Sequence, residues 1–386
     1  MPDFVFSKRT NWSTQNNPLS DLLENLQSKS VEILDLTESN PTRCGFDYPK
    51  TWMQALSEGH NLLYTPQAKG MAQARRAIQE YYRQRNIEIS DERMVLTSST
   101  SEGYSFLLKL LTNPGDHVLI PKPSYPLFQF LLEMHDVAFD YYPLVYDGSA
   151  WSINQKAFKD LMTPKTRVVI VVNPNNPTGS YLNSKDQNFL NEQCQKNTVS
   201  IICDEVFLDY PVENLNPARS LISNAVVPTF VLSGISKILG LPQMKLSWIV
   251  ANGPQKAVEE AIQRLEIIAD TYLSVNTPVQ NALSSWLLDS SSIQKQILDR
   301  VRGNLEILHR SQLKVLAVEG GWYALIQAPS IKSEEQFVLS LLEQDHVLVH
   351  PGYFFDFEAE GYLIVSLLPN PKTFAKAVER IARKIK

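Results

Sequence analysis

Short apolar runs recur along the middle of the chain, at Met94 to Leu96, Val118 to Ile120, Phe139 to Tyr142, Val168 to Val172, Val199 to Cys203, Thr229 to Leu232 and Leu246 to Val250. Several are unbroken rather than alternating, as expected of strands covered on both faces. The stretches between them carry apolar residues at helical spacing. Met71, Ala74, Ile78, Tyr81 and Tyr82 mark a helix after Gly70; others are predicted over Ser101 to Leu111, Tyr125 to Met134, Ser184 to Asn197 and Pro254 to about Ile268. Strands alternating with helices predict an α/β protein with a mostly parallel sheet.

The ends of the chain have a different texture. Met1 to Ser30 is polar with a helical segment near Pro18 to Gln27, and Val31 to Leu36 reads as a short strand ended by the polar loop Thr37 to Arg43. After Ile293 come a long helix to about Gln312, a strand at Trp322 to Ile326, a helix near Glu334 to Gln344 and a strand at Tyr362 to Leu367. The expected organisation is an arm and part of a small domain in residues 1–45, a large α/β domain in 46–290, and a small α+β domain in 291–386.

With 386 residues, 44% of them hydrophobic, the chain can bury a sizeable core. A net charge of −5 argues against a nucleic-acid surface, which is normally basic. The first residues lack the apolar core of a signal peptide, and no run has the roughly 18 apolar residues of a membrane span. Three scattered cysteines and six histidines offer neither a disulfide framework nor a metal motif. A cytoplasmic protein without membrane or nucleic-acid partners is expected.

The chemistry collects where strands end, the place at which open α/β sheets bind ligands. Met94 to Leu96 runs into Thr97-Ser98-Ser99-Thr100-Ser101-Glu102, either an ordinary helix cap or a hydroxyl-rich anion cradle on free N–H groups. Val168 to Val172 leads to Asn173-Pro174-Asn175-Asn176-Pro177-Thr178-Gly179, a turn that aims amides. Val199 to Cys203 leads to the carboxylates Asp204 and Glu205, which need a cation or several donors there. Thr229 to Leu232 leads to Ser233-Gly234-Ile235-Ser236-Lys237. Alone, Lys237 reads as a surface lysine; held among small residues at a strand end, it is a poorly solvated amine able to attack a carbonyl. Neither a dinucleotide fingerprint nor a P-loop is present. Anion cradle, amide, carboxylate and amine together suit a phosphorylated heteroaromatic aldehyde.

Over about residues 30 to 370 the chain resembles the pyridoxal-phosphate-dependent aminotransferases of fold type I, class I/II. Four elements match in order and spacing: Tyr64 with Gly70 and its helix; Pro114-Gly115-Asp116 through Pro123-Ser124-Tyr125-Pro126; Asn173 to Gly179; and Asp204-Glu205-Val206 before Ser236-Lys237 with Gly240. The resemblance implies a seven-stranded-type sheet, bound pyridoxal 5′-phosphate and transfer of an amino group between an α-amino acid and a 2-oxo acid. Lys237 would form the internal aldimine and shuttle the proton; Asp204 would keep the pyridine nitrogen protonated. Asn176 would bond the ring 3-oxygen and Tyr125 would stack on the ring. Thr100, Ser101 and Ser236 would hold the phosphate, with Tyr64 reaching it from the other subunit of a homodimer. A β-eliminating C–S lyase keeps the same cofactor residues, and a non-catalytic cofactor-binding sensor is a third reading.

Four positions depart from the family pattern. Phe207 replaces a tyrosine that contacts the 3-oxygen, Gly234 a phosphate-binding serine, and Lys245 a phosphate-gripping arginine. Ile364 stands where an arginine binds the substrate carboxylate. Arg43, with Asn40 in the same loop and Asn176, is the expected substitute.

Overall fold

The computed structural model describes residues 5–212 and 220–385, so the first four residues of the polar arm lie outside the described residues. Fourteen strands occur among them: β1 (Leu34–Asp35), β2 (Met94–Thr97), β3 (His117–Lys122), β4 (Ala138–Tyr146), β5 (Trp151–Ile153), β6 (Thr166–Val172), β7 (Ser200–Asp204), β8 (Thr229–Gly234), β9 (Ser247–Asn252), β10 (Lys314–Val315), β11 (Tyr323–Gln327), β12 (Val347–Leu348), β13 (His350–Pro351) and β14 (Tyr362–Ser366).

The large sheet has the order β2-β9-β8-β7-β6-β3-β4-β5. Strands β8, β7, β6, β3 and β4 are mutually parallel, while β9 and β5 run against their neighbours. Eight strands thus stand where a seven-stranded type was expected. The additional one, β5, is a three-residue edge strand hairpinned onto β4, too short to show as a periodic run.

Both faces of the sheet are covered, which accounts for the unbroken apolar runs. Along β6, Val169 and Val171 point into one core and Val168, Ile170 and Val172 into the other; Ile201 and Cys203 oppose Ile202 in the same way on β7. Successive side chains of a strand take opposite faces, so a strand between two helical layers has no wet side to which polar residues could be assigned. Helices Thr100–Leu111 and Gln255–Tyr272 pack on the face with Val95, Phe230 and Ile249.

A second, antiparallel sheet has the order β10-β11-β14-β13, and β1 pairs in parallel with β12. The segment before residue 45 therefore joins strands from the last third of the chain. Among the described residues no helix is long and apolar enough to cross a membrane.

Candidate active site

The parallel strands and β2 point their carboxyl ends the same way, and a cavity of about 230 Å³ opens there. Of the residues singled out in the sequence, Thr100, Ser101, Tyr125, Asn176, Asp204, Phe207, Ser236 and Lys237 line it.

Lys237 sits in the single helical turn Ile235–Ile238, directly after β8. Its backbone is pinned by Tyr210 Oη, which donates to the Lys237 carbonyl at 2.6 Å. Its Nζ lies 4.8 Å from the ring centre of Trp322 and 5.3 Å from that of Phe207. Burial against these rings pushes the ammonium down to about 8, with the Asp204 charge pulling the other way.

Asp204 ends β7, beside β8 in the sheet. The backbone N–H of Val206 donates to its Oδ1 at 3.1 Å and Tyr104 Oη donates to Oδ2 at 3.2 Å. Burial pushes this carboxyl up to about 6, opposed by those two donors and by Lys237. Both oxygens are held, so the carboxylate is fixed in orientation. Glu205, one residue on, turns to the opposite side. It is buried, accepts from Ser220 Oγ at 2.6 Å and from the Leu221 N–H at 2.7 Å, and burial pushes it up to about 7. Of the two carboxylates only Asp204 lines the cavity.

The cradle at Thr97 to Glu102 serves as helix cap and cavity wall together. Ser99 caps, accepting from the Glu102 N–H at 3.1 Å, while Glu102 reaches back to the Ser98 N–H at 2.6 Å. That division leaves the Thr100 and Ser101 side chains lining the cavity. Tyr104 follows Thr100 by four residues, hence on the same face of the helix. In the turn after β6, Asn173 N–H donates to the Asp204 carbonyl at 2.8 Å and Asn175 Nδ2 to the Pro123 carbonyl at 3.1 Å. Asn176 is left with a buried Oδ1 that has no hydrogen-bond partner among the described residues.

Four expected residues do not line this cavity. Tyr64 is 75% exposed, beside exposed Leu62 and Leu63. Lys245 is exposed, with φ +53°. Asn40 caps its own turn, its Oδ1 accepting from the Thr42 N–H at 3.1 Å. Arg43 points to solvent, 3.9 Å from Glu38. From that loop it is Ser39 that reaches the cavity. Ile364 is buried among Trp151, Leu316, Leu325 and Phe355.

Tyr104, Tyr323, Ser39 and Ser247 also line the cavity and were not singled out by sequence. Tyr323 and Ser39 line the cavity together, and burial pushes the Tyr323 phenol up to about 12, so it stays neutral.

The model of the family described as aminotransferase class I and II matches residues 31–381. A glutamate-pyruvate aminotransferase of Haemophilus influenzae is 25% identical over 376 residues, covering 93% of this chain and 92% of that protein. An alanine aminotransferase of Mycobacterium tuberculosis is 25% identical over 388 residues, covering 94% and 88%. Among solved structures, an alanine aminotransferase from Pyrococcus furiosus superposes with a TM-score of 0.87 at 23% identity, covering 99% of each chain. An aminotransferase from Escherichia coli gives 0.86 at 23%, covering 99% and 98%.

Proposed function

Because the chain belongs to the aminotransferase class I and II family, whose aminotransferases use pyridoxal phosphate, we propose that the cavity at the strand ends is where an amino group passes between an α-amino acid and a 2-oxo acid. The observation that carries this is an amine lowered to about 8 and a doubly held carboxylate, on neighbouring strand ends of one cavity.

The residues fit the cofactor. The unpartnered Asn176 amide oxygen marks hydrogen-bonding capacity left for a ligand, and hydroxyls from two strand ends supply donors for a phosphate. In this reading Thr100, Ser101 and Ser236 hold the phosphate, Asn176 and Tyr125 hold the ring, and Asp204 faces its nitrogen. Pyridoxal phosphate, when bound, supplies a ring that accepts the electron pair released at the substrate's Cα. Lys237 Nζ takes and returns the Cα proton. Phe207 and Trp322 flank that amine and reduce its contact with water.

The names of the relatives make alanine and glutamate the first donors to try. Each amino acid is added to the holoprotein without any 2-oxo acid. Loss of the visible absorbance with release of one 2-oxo acid equivalent is expected. Free ammonia in place of an aminated product would overturn transfer in favour of elimination.

A homodimer with shared sites explains an exposed Tyr64 outside its own cavity. Mixing Lys237→Ala with Tyr64→Ala chains should then restore activity, because half the heterodimer sites combine an intact Lys237 with the other subunit's Tyr64. Heterodimers that form without recovery would show that each subunit uses its own tyrosine.

A further inference from the structure

Gly234 and Ser247 face each other as register partners of the antiparallel pair β8–β9, and both line the cavity. The backbone at Gly234 is extended, with φ 177°, which any residue can adopt. Space is what excludes a side chain. A Cβ on Gly234 would lie 2.2 Å from Ser247 Oγ and 2.8 Å from Ser247 Cβ, far inside contact distance. The two positions share one side-chain volume, and Ser247 occupies it. Ser247 is 1% exposed, so its hydroxyl belongs to the cavity wall and not to the outer surface.

We propose that Ser247 donates its hydroxyl to the cofactor phosphate, from the strand opposite the one where a serine at 234 would have supplied it. The inference rests on the reading of this cavity as the pyridoxal-phosphate site. A phosphate withdrawn from water needs several donors, because an unpaired buried charge is costly. Thr100 and Ser101, at the start of a 12-residue helix, and Ser236 give three hydroxyls on two segments. Ser247 adds one from a third segment. Lys245, two residues before it, is exposed and does not line the cavity, which leaves hydroxyls to carry the anion on this side. The same packing accounts for glycine at residue 234: a side chain there would force Ser247 to shift.

The test compares pyridoxamine 5′-phosphate with pyridoxamine, binding to the apoprotein followed by tryptophan fluorescence. Neither ligand bonds covalently to Lys237, and they differ only in the phosphate. Hydrogen bonds to charged groups are among the stronger ones, so Ser247→Ala should weaken the phosphorylated ligand by about tenfold or more. Pyridoxamine should bind as it does to the wild type. Gly234→Ser alone forces two side chains into one volume and should weaken the phosphorylated ligand. The double change Gly234→Ser with Ser247→Gly keeps that volume filled once and should recover most of the affinity; it also tests the idea if Ser247→Ala does not fold. Equal affinity of Ser247→Ala and wild type for the phosphorylated ligand, or an equal loss for both ligands, would overturn the inference. A double variant that binds no better than Ser247→Ala counts against it as well. Wild-type protein that fails to distinguish the two ligands would instead overturn the cofactor reading.

Discussion

Replacing Lys237 by alanine is expected to abolish turnover, by about 10⁴-fold or more, while the protein still binds cofactor through its phosphate. The size of the effect follows from two jobs done by one nitrogen. At pH 7.5 an ordinary lysine near 10.5 has about one side chain in a thousand neutral; one near 8 has about one in four. The uncharged amine is the form that would hold the cofactor by its aldehyde, with water leaving, and that would accept the proton from the substrate's Cα. The lowered value is a product of packing. Trp322 and Phe207 shield the part-buried amine on one side, and Tyr210 fixes the backbone beneath it. Among the described residues Lys237 is the only lysine lining the cavity, so no neighbour can deputise. Borohydride reduction of the holoprotein followed by peptide mapping should leave the pyridoxyl group on Lys237. A label on any other lysine sinks the assignment.

Lys237, Asp204 and Asn176 were legible in the sequence for a local reason. Each lies at or just beyond the end of a largely apolar strand, and β6, β7 and β8 are neighbours in the sheet, so those ends come together. Residues that depend on register or on distant segments were not. Tyr104 stands in an apolar helix and reads as core; only the packing of that helix beside β7 brings its hydroxyl to Asp204. Tyr323 comes from β11, over a hundred residues after Asp204 in the chain. The pairing of Gly234 with Ser247 depends on the register of two antiparallel strands, which the apolar pattern does not specify.

The loop ending at Arg43 shows the same limit in another way. Its composition marks it as a polar turn, but the direction of each side chain is set by the turn Pro41–Arg43, which Asn40 caps. Ser39 is directed inward and Arg43 outward. Where the family pattern would place a substrate-binding arginine, Ile364 has been absorbed into an apolar cluster with Leu325 and Phe355. The closing helix Pro371–Ile385 lies beyond the elements predicted above, although Phe374, Ala377, Val378 and Ile381 fall at helical spacing and are buried.

Asp204→Ala should cut turnover by at least about 10²-fold, the loss typical of a well-placed electrostatic group. The carboxylate must be ionised to hold a proton on the ring nitrogen, yet burial raises it from 3.8 to about 6. The groups facing it decide the balance. Tyr104 and the Val206 N–H donate to it, Lys237 attracts it, and the Cys203 thiol and Tyr125 phenol beside it are themselves pushed up and stay neutral. A cation on the ring favours the ionised form further, so the acid limb of turnover should lie at or below about pH 6. For stability the sign is the reverse of an ordinary salt-bridged aspartate. The folded apoprotein binds more protons than the unfolded chain between about pH 4 and 6, so its stability falls as pH rises through that window. A rise from 3.8 to about 6 costs the fold at most about 3 kcal/mol at neutral pH. Asp204→Asn should therefore yield an apoprotein at least as stable as wild type at pH 7 in thermal unfolding, although its turnover collapses. Stability and activity move apart only if the carboxylate is kept for chemistry at the expense of the fold. A variant with near-normal turnover, or one whose loss of activity tracks an equal loss of stability, would mean that Asp204 serves packing and not the ring.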